Sequence, residues 1–208
     1  MQKKYLIFDL DWTLIESMND TLKIVINYLD KIPNIDIEKV KYVLETTPWM
    51  SLQNQLEIIF EWKNQINIEK IKNEIYKDIL DNNDDDFFEW VISKIKELSK
   101  KHKLFLTTWN STKTAIKYLT KWTIIDCFEL IYWSDKILKW MDHLNIFKDY
   151  SKDKDFFEKS IYTWDWNMDR IFAKEAWIDF IHIWNDKTDK YEINSVKNID
   201  SILILFNN

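Results

Sequence analysis

Polar residues capable of chemistry stand where three short apolar runs end. In "YLIFDLDWTLIES" (5–17), Asp9 and Asp11 close the first run, with Thr13 after them. In "KLFLTTWNS" they are Thr107, Thr108 and Asn110, and in "SIYTWDWNMD" they are Asp165, Asn167 and Asp169. An open parallel sheet binds ligands beyond the carboxyl ends of its strands. Three or more carboxylates gathered there repel one another unless a cation lies between them. Hard oxygen donors, with only three histidines in the chain, favour Mg2+ over zinc. A lone Asp-x-Asp is common, and a strand-end threonine often just caps a helix. The weight lies in the order: an aspartate pair, a threonine pair, a lysine region, then "WDWNMD", each at a strand end.

The elements that must carry these residues follow from periodicity. "KYLIFD" (4–9) has the continuous apolar character of a buried strand. From about residue 17 to 101 the pattern is helical: Leu22, Ile26 and Leu29 share a face, and so do Val40, Val43 and Leu44. Beyond residue 101, short apolar strands are expected at 103–108, 129–132, 160–163, 179–183 and 202–206. Helices are expected near 111–121, 142–150, 167–176 and 188–197. Such alternation predicts an α/β fold, a Rossmann-like parallel sheet flanked by helices. The block without strand pattern is expected to be an inserted all-helical cap. The domains are then a core of residues 1–16 and 86–208 and a cap of 17–85.

Composition narrows the function. The net charge of −6 is spread along the chain, so no basic surface for nucleic acid is expected. Cys127 is the single cysteine, which excludes an internal disulfide and suits a reducing compartment. Apolar runs are strand-sized, and no signal-peptide pattern opens the chain. The expectation is a cytoplasmic protein without membrane contact. The "DDD" run at 84–86 reads as a solvated loop, and Lys174 and Glu175 as an exposed helix face. His102, His143 and His182 read as structural or exposed, with His143 placed to approach the site; Asn185 and Asp186 read as loop or cap residues.

The chain contains no glycine and 12 tryptophans, where glycine ordinarily makes up about 7% of residues. Trp122 and Trp177 end helical patterns where a C′ glycine belongs, Trp133 and Trp184 end short strands, and Trp164 and Trp166 flank Asp165. Core tryptophans would fall on apolar faces at helix or strand period; these fall at the punctuation marks glycine supplies. Two readings stand: a tryptophan-rich protein, or a chain in which Trp is written for Gly. The codon UGA, which some genetic codes read as Trp and a few as Gly, offers a route to the second. Ordinary UGG codons at these positions would exclude it.

With glycine in those places the segments read "FDLDGTL", "LFLTTGNS" and "IYTGDGNMDRIFAKEAGID". They resemble the motifs of the haloacid dehalogenase-like hydrolases: DxDGT, a strand-end Thr or Ser, a Lys, and GDxxxD. The resemblance spans essentially the whole chain, and the helix–strand segment "FFEWVISKIKELSKKHKLFL" shares it. The chain departs from the pattern at every glycine, most seriously at Trp164 and Trp166, whose bulk would crowd a metal and a phosphate. The resemblance implies Asp9 as nucleophile and Asp11 as acid–base partner. It implies Mg2+ held by Asp9, the backbone carbonyl of Asp11 and Asp165, with Asp169 steadying the site. Thr108 and Trp109 are then expected to bind phosphate with a lysine: Lys139 in "ILKWMDHLNIF" matches best, and Lys136 and Lys148 stay open. A helical cap between the first two motifs matches the phosphoglycolate phosphatase-like subclass, with "TTPWM" (46–50) as a substrate-facing loop. The implied activity is Mg2+-dependent hydrolysis of a small phosphomonoester by a monomer or weak homodimer. A phosphomutase has the same motifs, Asp11 argues against a dehalogenase, and genuine tryptophans would argue for a non-catalytic binding protein.

Overall fold

In the computed structural model the described residues are 3–11, 13–15, 18–47, 50–61, 66–82, 87, 90–108, 112–133, 139, 141–164, 167–183, 192–193 and 198–206. By contact density the chain divides into two compact units, 1–16 with 86–208, and 17–85.

The first unit is built on β1 (Tyr5–Asp9), whose five side chains are all buried. A strand covered on both faces belongs in the middle of a parallel sheet, and β1 lies there. On one side it pairs with β2 (Lys103–Thr108), which pairs with β3 (Phe128–Trp133). On the other lie β4 (Ser160–Trp164), β5 (Asp179–Ile183) and the two-residue β6 (Glu192–Ile193). The order β3-β2-β1-β4-β5-β6 reverses direction at β1, and crevices open at such reversals. In register, Asp9 lies opposite Thr107, and Phe8 opposite both Leu106 and Thr163, so the three central strands end at one level.

Period-two alternation sends the side chains of β1 to opposite faces. Leu6 and Phe8 join a core with Val91 and Ile95 of α5 (Val91–Leu98), Ala115 and Leu119 of α6 (Thr112–Lys121), and Ile199 and Leu203 of the C-terminal helix. Tyr5 and Ile7 join a second core with Leu144 and Phe147 of α7 (Met141–Ser151) and Ala173 of α8 (Asn167–Glu175).

The second unit comprises α1 (Met18–Leu29), α2 (Ile37–Thr46), α3 (Leu52–Phe60) and α4 (Ile68–Asn82). Asp36 caps α2 by accepting from the Lys39 N–H at 3.1 Å, and Ser51 caps α3 by accepting from the Asn54 N–H at 3.3 Å. Its core, which includes Val25, Leu29, Val40, Leu44, Leu56, Phe60 and Ile75, is its own.

Expectations are corrected in two places, the last segments of the chain and one helix end. The segment 202–206, expected as a strand, lies in α9 (Ile199–Phe206), and β6 falls within the segment expected as the helix 188–197. A short continuous apolar run does not distinguish a strand from a buried helix. Here Ile199 and Leu203, one helical turn apart, are buried while Ile204 is 60% exposed. Asp200 also accepts from the Lys94 ammonium of α5 at 2.5 Å.

The second correction concerns Trp122, which does not occupy a left-handed C′ position. Its N–H still donates to Tyr118 O at 3.3 Å, and the positive φ falls one residue later, 55° at Thr123. Trp177 does occupy one. Its φ is 57°, and the Ile178 N–H closes the end of α8 on Ala173 O at 2.9 Å. Trp177 is 86% exposed, so little packing offsets the backbone strain. Trp177→Gly is therefore expected to gain about 1 kcal/mol or slightly less, since glycine's looser unfolded chain takes back part of the relief. In a chain of this size that raises the melting temperature by about 2–4 °C. An unchanged or lower melt would show the strain to be absent.

Candidate functional site

The site grows from the end of β1. Past Asp9 the chain turns sharply, because the N–H groups of Leu14 and Ile15 both donate to Leu10 O, at 2.9 and 3.0 Å. Leu10, Leu14 and Ile15 are fully buried. They anchor the turn, which leaves Asp11 half-buried at the rim and bridged to Ile15. The buried Thr13 hydroxyl, on the same turn, finds no hydrogen-bond partner among the described residues.

Asp9 accepts from the Lys139 ammonium at 2.7 Å, with the two side chains 4% and 0% exposed. Removing two charges from water is tolerable only when they neutralise each other. The other face of the Lys139 ammonium lies on the Trp164 ring, 3.1 Å from its centroid. Trp164 ends β4 and is itself buried. At the end of β2, the Thr108 hydroxyl donates to Asp11 Oδ2 at 3.2 Å. Beside it Thr107 Oγ1 and His143 Nδ1 share a 2.8 Å hydrogen bond, and the His143 ring meets Tyr132 edge-on at 5.0 Å.

Among the expected residues, Asp9, Asp11, Thr108 and Lys139 thus come together at the strand ends. Asp169 lies in the first turn of α8, its side chain outside the described residues. Trp109, Asn110, Lys136, Asp165, Asn185 and Asp186 also lie outside them. Lys148 is on α7 with its ammonium 5.1 Å from the Phe157 ring, a contact distinct from the Asp9 pair. Two contacts have no signature in the sequence: the Trp164 face on Lys139, and the bond joining His143 to Thr107. Each joins residues distant along the chain, and only the topology of the sheet brings them together.

The arrangement can do specific chemistry. A buried carboxylate beside an ammonium, with a second carboxylate two residues on, supplies a nucleophile, a cation for an anionic substrate and a proton carrier. The donors at this end of the sheet are oxygens, the kind a hard divalent cation takes, and the Thr13 hydroxyl beside them is unsatisfied. Among the described residues they do not gather into a group of three metal-ligating side chains.

The parallel α/β sheet carries an aspartate–lysine pair at its reversal point, and the family match makes the protein an enzyme of the hydrolase type. The chain belongs to the haloacid dehalogenase-like hydrolases, whose family profile matches residues 6–183. Its fold is similar to that of a haloacid dehalogenase-like family protein from Streptococcus pneumoniae, at 21% identity and a TM-score of 0.74, covering 96% of this chain and 98% of that one. It is also similar to the magnesium-bound hydrolase YfnB of Bacillus subtilis, at 14% identity and a TM-score of 0.76, covering 98% and 100%. CbbY of Rhodobacter sphaeroides, solved with phosphate, gives 14% identity and 0.73, covering 95% and 96%. No curated protein matches the sequence. Among the described residues no helix is long and apolar enough to cross a membrane.

Proposed function

We propose that the protein is a phosphatase that hydrolyses a small phosphomonoester through an aspartyl-phosphate on Asp9. The reading rests on one observation: the buried Lys139 ammonium held 2.7 Å from Asp9 Oδ1, with Asp11 beside it. An Asp9 oxygen attacks phosphorus, the ester P–O bond breaks, and the departing alkoxide takes the proton of the Asp11 carboxyl. Water then attacks the same phosphorus and gives its proton to Asp11, and the phosphorus–Asp9 bond breaks to release phosphate. Lys139 and Thr108 hold the phosphoryl oxygens. Asp9, the Asp11 carbonyl and Asp165 would hold Mg2+, steadied by Asp169, and the bound ion would offset the charge of carboxylate and phosphate. The magnesium in YfnB and the phosphate in CbbY accord with this chemistry.

The helical unit 17–85 acts as a cap that selects substrate and excludes water. The enzyme works in the cytoplasm, as a monomer or weak homodimer, on a phosphorylated metabolite. A panel of phosphomonoesters assayed with Mg2+ tests the reading, and no turnover of any member would sink it. Lys139→Met is expected to lower kcat/KM by about 10²–10³, the usual cost of one lost electrostatic partner in a site that stabilises charge. A change of less than threefold would remove Lys139 from the role.

The tryptophans belong to the same proposal: in the functional protein their places are taken by glycine. Trp177 in a left-handed backbone and Trp164 pressed on Lys139 support this. If the tryptophans are native, that contact favours a second reading, a phosphate-binding protein whose lysine is held away from catalysis.

A further inference from the structure

We infer that His143 is a positioning residue for phosphate binding, acting through Thr107 on both Thr108 and Lys139. The inference rests on the phosphatase reading of the site and gives a specific role to a histidine that the sequence only placed near it.

His143 is completely buried in the first turn of α7, four residues after Lys139. Its partner Thr107 is buried as well and is the residue opposite Asp9 across the β1–β2 ladder. Thr108, the next residue, donates to Asp11. The single His143–Thr107 bond therefore joins the segment that delivers the lysine to the strand that delivers the threonine, beside the nucleophile. Tyr132 of β3, edge-on at 5.0 Å, keeps the imidazole in that orientation.

Burying an imidazole and a hydroxyl is costly unless they satisfy each other, and an apolar pair of similar volume would fill the space without that risk. A polar pair does what an apolar pair cannot: it defines a distance and a direction. Another buried basic side chain, Lys3, serves a different end of the sheet. Lys3 donates to the carbonyls of Glu158 and Ser160 at 2.6 and 3.2 Å, where β4 begins, far along the strands from the aspartates. His143 thus bonds the end of β2 at the site, on the residue next to Thr108.

An error of about 1 Å in placing a catalytic group costs about a hundredfold in rate. His143→Leu is accordingly expected to weaken inorganic phosphate binding about tenfold and to lower kcat/KM by about ten- to a hundredfold. His143→Asn, whose amide can take the place of Nδ1, should recover most of both. Thr107→Val should match His143→Leu, and the double variant should be no worse than either single one, since both remove the same bond.

The experiment measures phosphate affinity by calorimetry with Mg2+ present, and phosphoester turnover in parallel. It uses whichever chain, with tryptophan or glycine at the twelve positions, binds phosphate. If phosphate affinity and turnover fall with His143→Leu and return with His143→Asn, the inference stands. Equal failure of Leu and Asn, or additive losses in the double variant, would reduce His143 to a packing residue and overturn it. If phosphate binds and responds to His143 while Asp9→Asn leaves turnover intact, the hydrolase reading falls and the positioning role survives. If neither chain binds phosphate, both fall.

Discussion

Asp9→Asn is expected to abolish phosphoester hydrolysis, a loss of about a thousandfold or more in kcat. The carboxamide keeps the shape of the carboxylate and cannot form the acyl-phosphate, so the route is closed rather than slowed. The substitution also leaves the Lys139 ammonium buried without its counter-charge, which ordinarily costs about 3–5 kcal/mol. A drop in activity alone could then reflect unfolding. The double variant Asp9→Asn, Lys139→Met removes both charges and should melt nearer to the parent while staying inactive. Asp11→Asn should behave differently. Its cost of about 10²–10⁴ in kcat/KM, typical of a lost proton donor, should be large for alkyl phosphates and small for nitrophenyl phosphate, whose leaving group needs no proton. The kcat should fall for both, because release of phosphate from Asp9 still needs Asp11 as base. Residual hydrolysis by Asp9→Asn at even a tenth of the parent rate would rule out the covalent route.

The second large effect is expected from replacing all twelve tryptophans by glycine. That chain should be more soluble and more active than the chain as written. Trp164, which lies on the Lys139 ammonium, is expected to carry part of the activity difference. An ammonium held on an indole face away from water is worth about 2 kcal/mol, so freeing Lys139 from it should raise activity about thirtyfold. The single variant Trp164→Gly separates the two readings of this residue. Deleting a native buried indole costs about 3–5 kcal/mol of stability and should bring no gain in turnover. Deleting one that stands in a glycine's place should raise turnover. A lower melt with no gain would make the tryptophan native and favour the phosphate-binding reading.

How much could be read in advance differs element by element. The ends of β1 and β2 were legible because a continuous apolar run stopping at a polar pair has few alternatives in a parallel sheet. Lys139 could be ranked above its neighbours only through the family pattern; the structure pairs it with Asp9, a contact that local sequence does not encode. The C-terminal segment misled because "SILILF" suits a buried strand and a buried helix equally; the burial of Ile199 and Leu203 one turn apart, and Asp200 meeting Lys94 of α5, identify the helix. The helix end near Trp122 misled because a C′ position depends on one turn of backbone geometry, and α6 places its left-handed residue at Thr123. Strand order, and with it the meeting of His143 and Thr107 or Lys139 and Trp164, depends on long-range topology that local periodicity does not encode.

The central place of β1 also bears on how the chain is made. β1 precedes the other described strands in the chain, and its neighbours are β2 and β4. It emerges as an apolar ribbon with two open edges and waits for residue 103 before either edge can be paired. Such an edge is a template for aggregation, and a pairing this distant along the chain is slow to form. The four helices of 17–85 are made in the interval, and they have a core of their own. An antiparallel bridge between Ile15 and Phe87 joins the chain on either side of them. Early folding of the helical unit would therefore shorten the span that β1 must close, and mutations that loosen that core should slow assembly of the sheet.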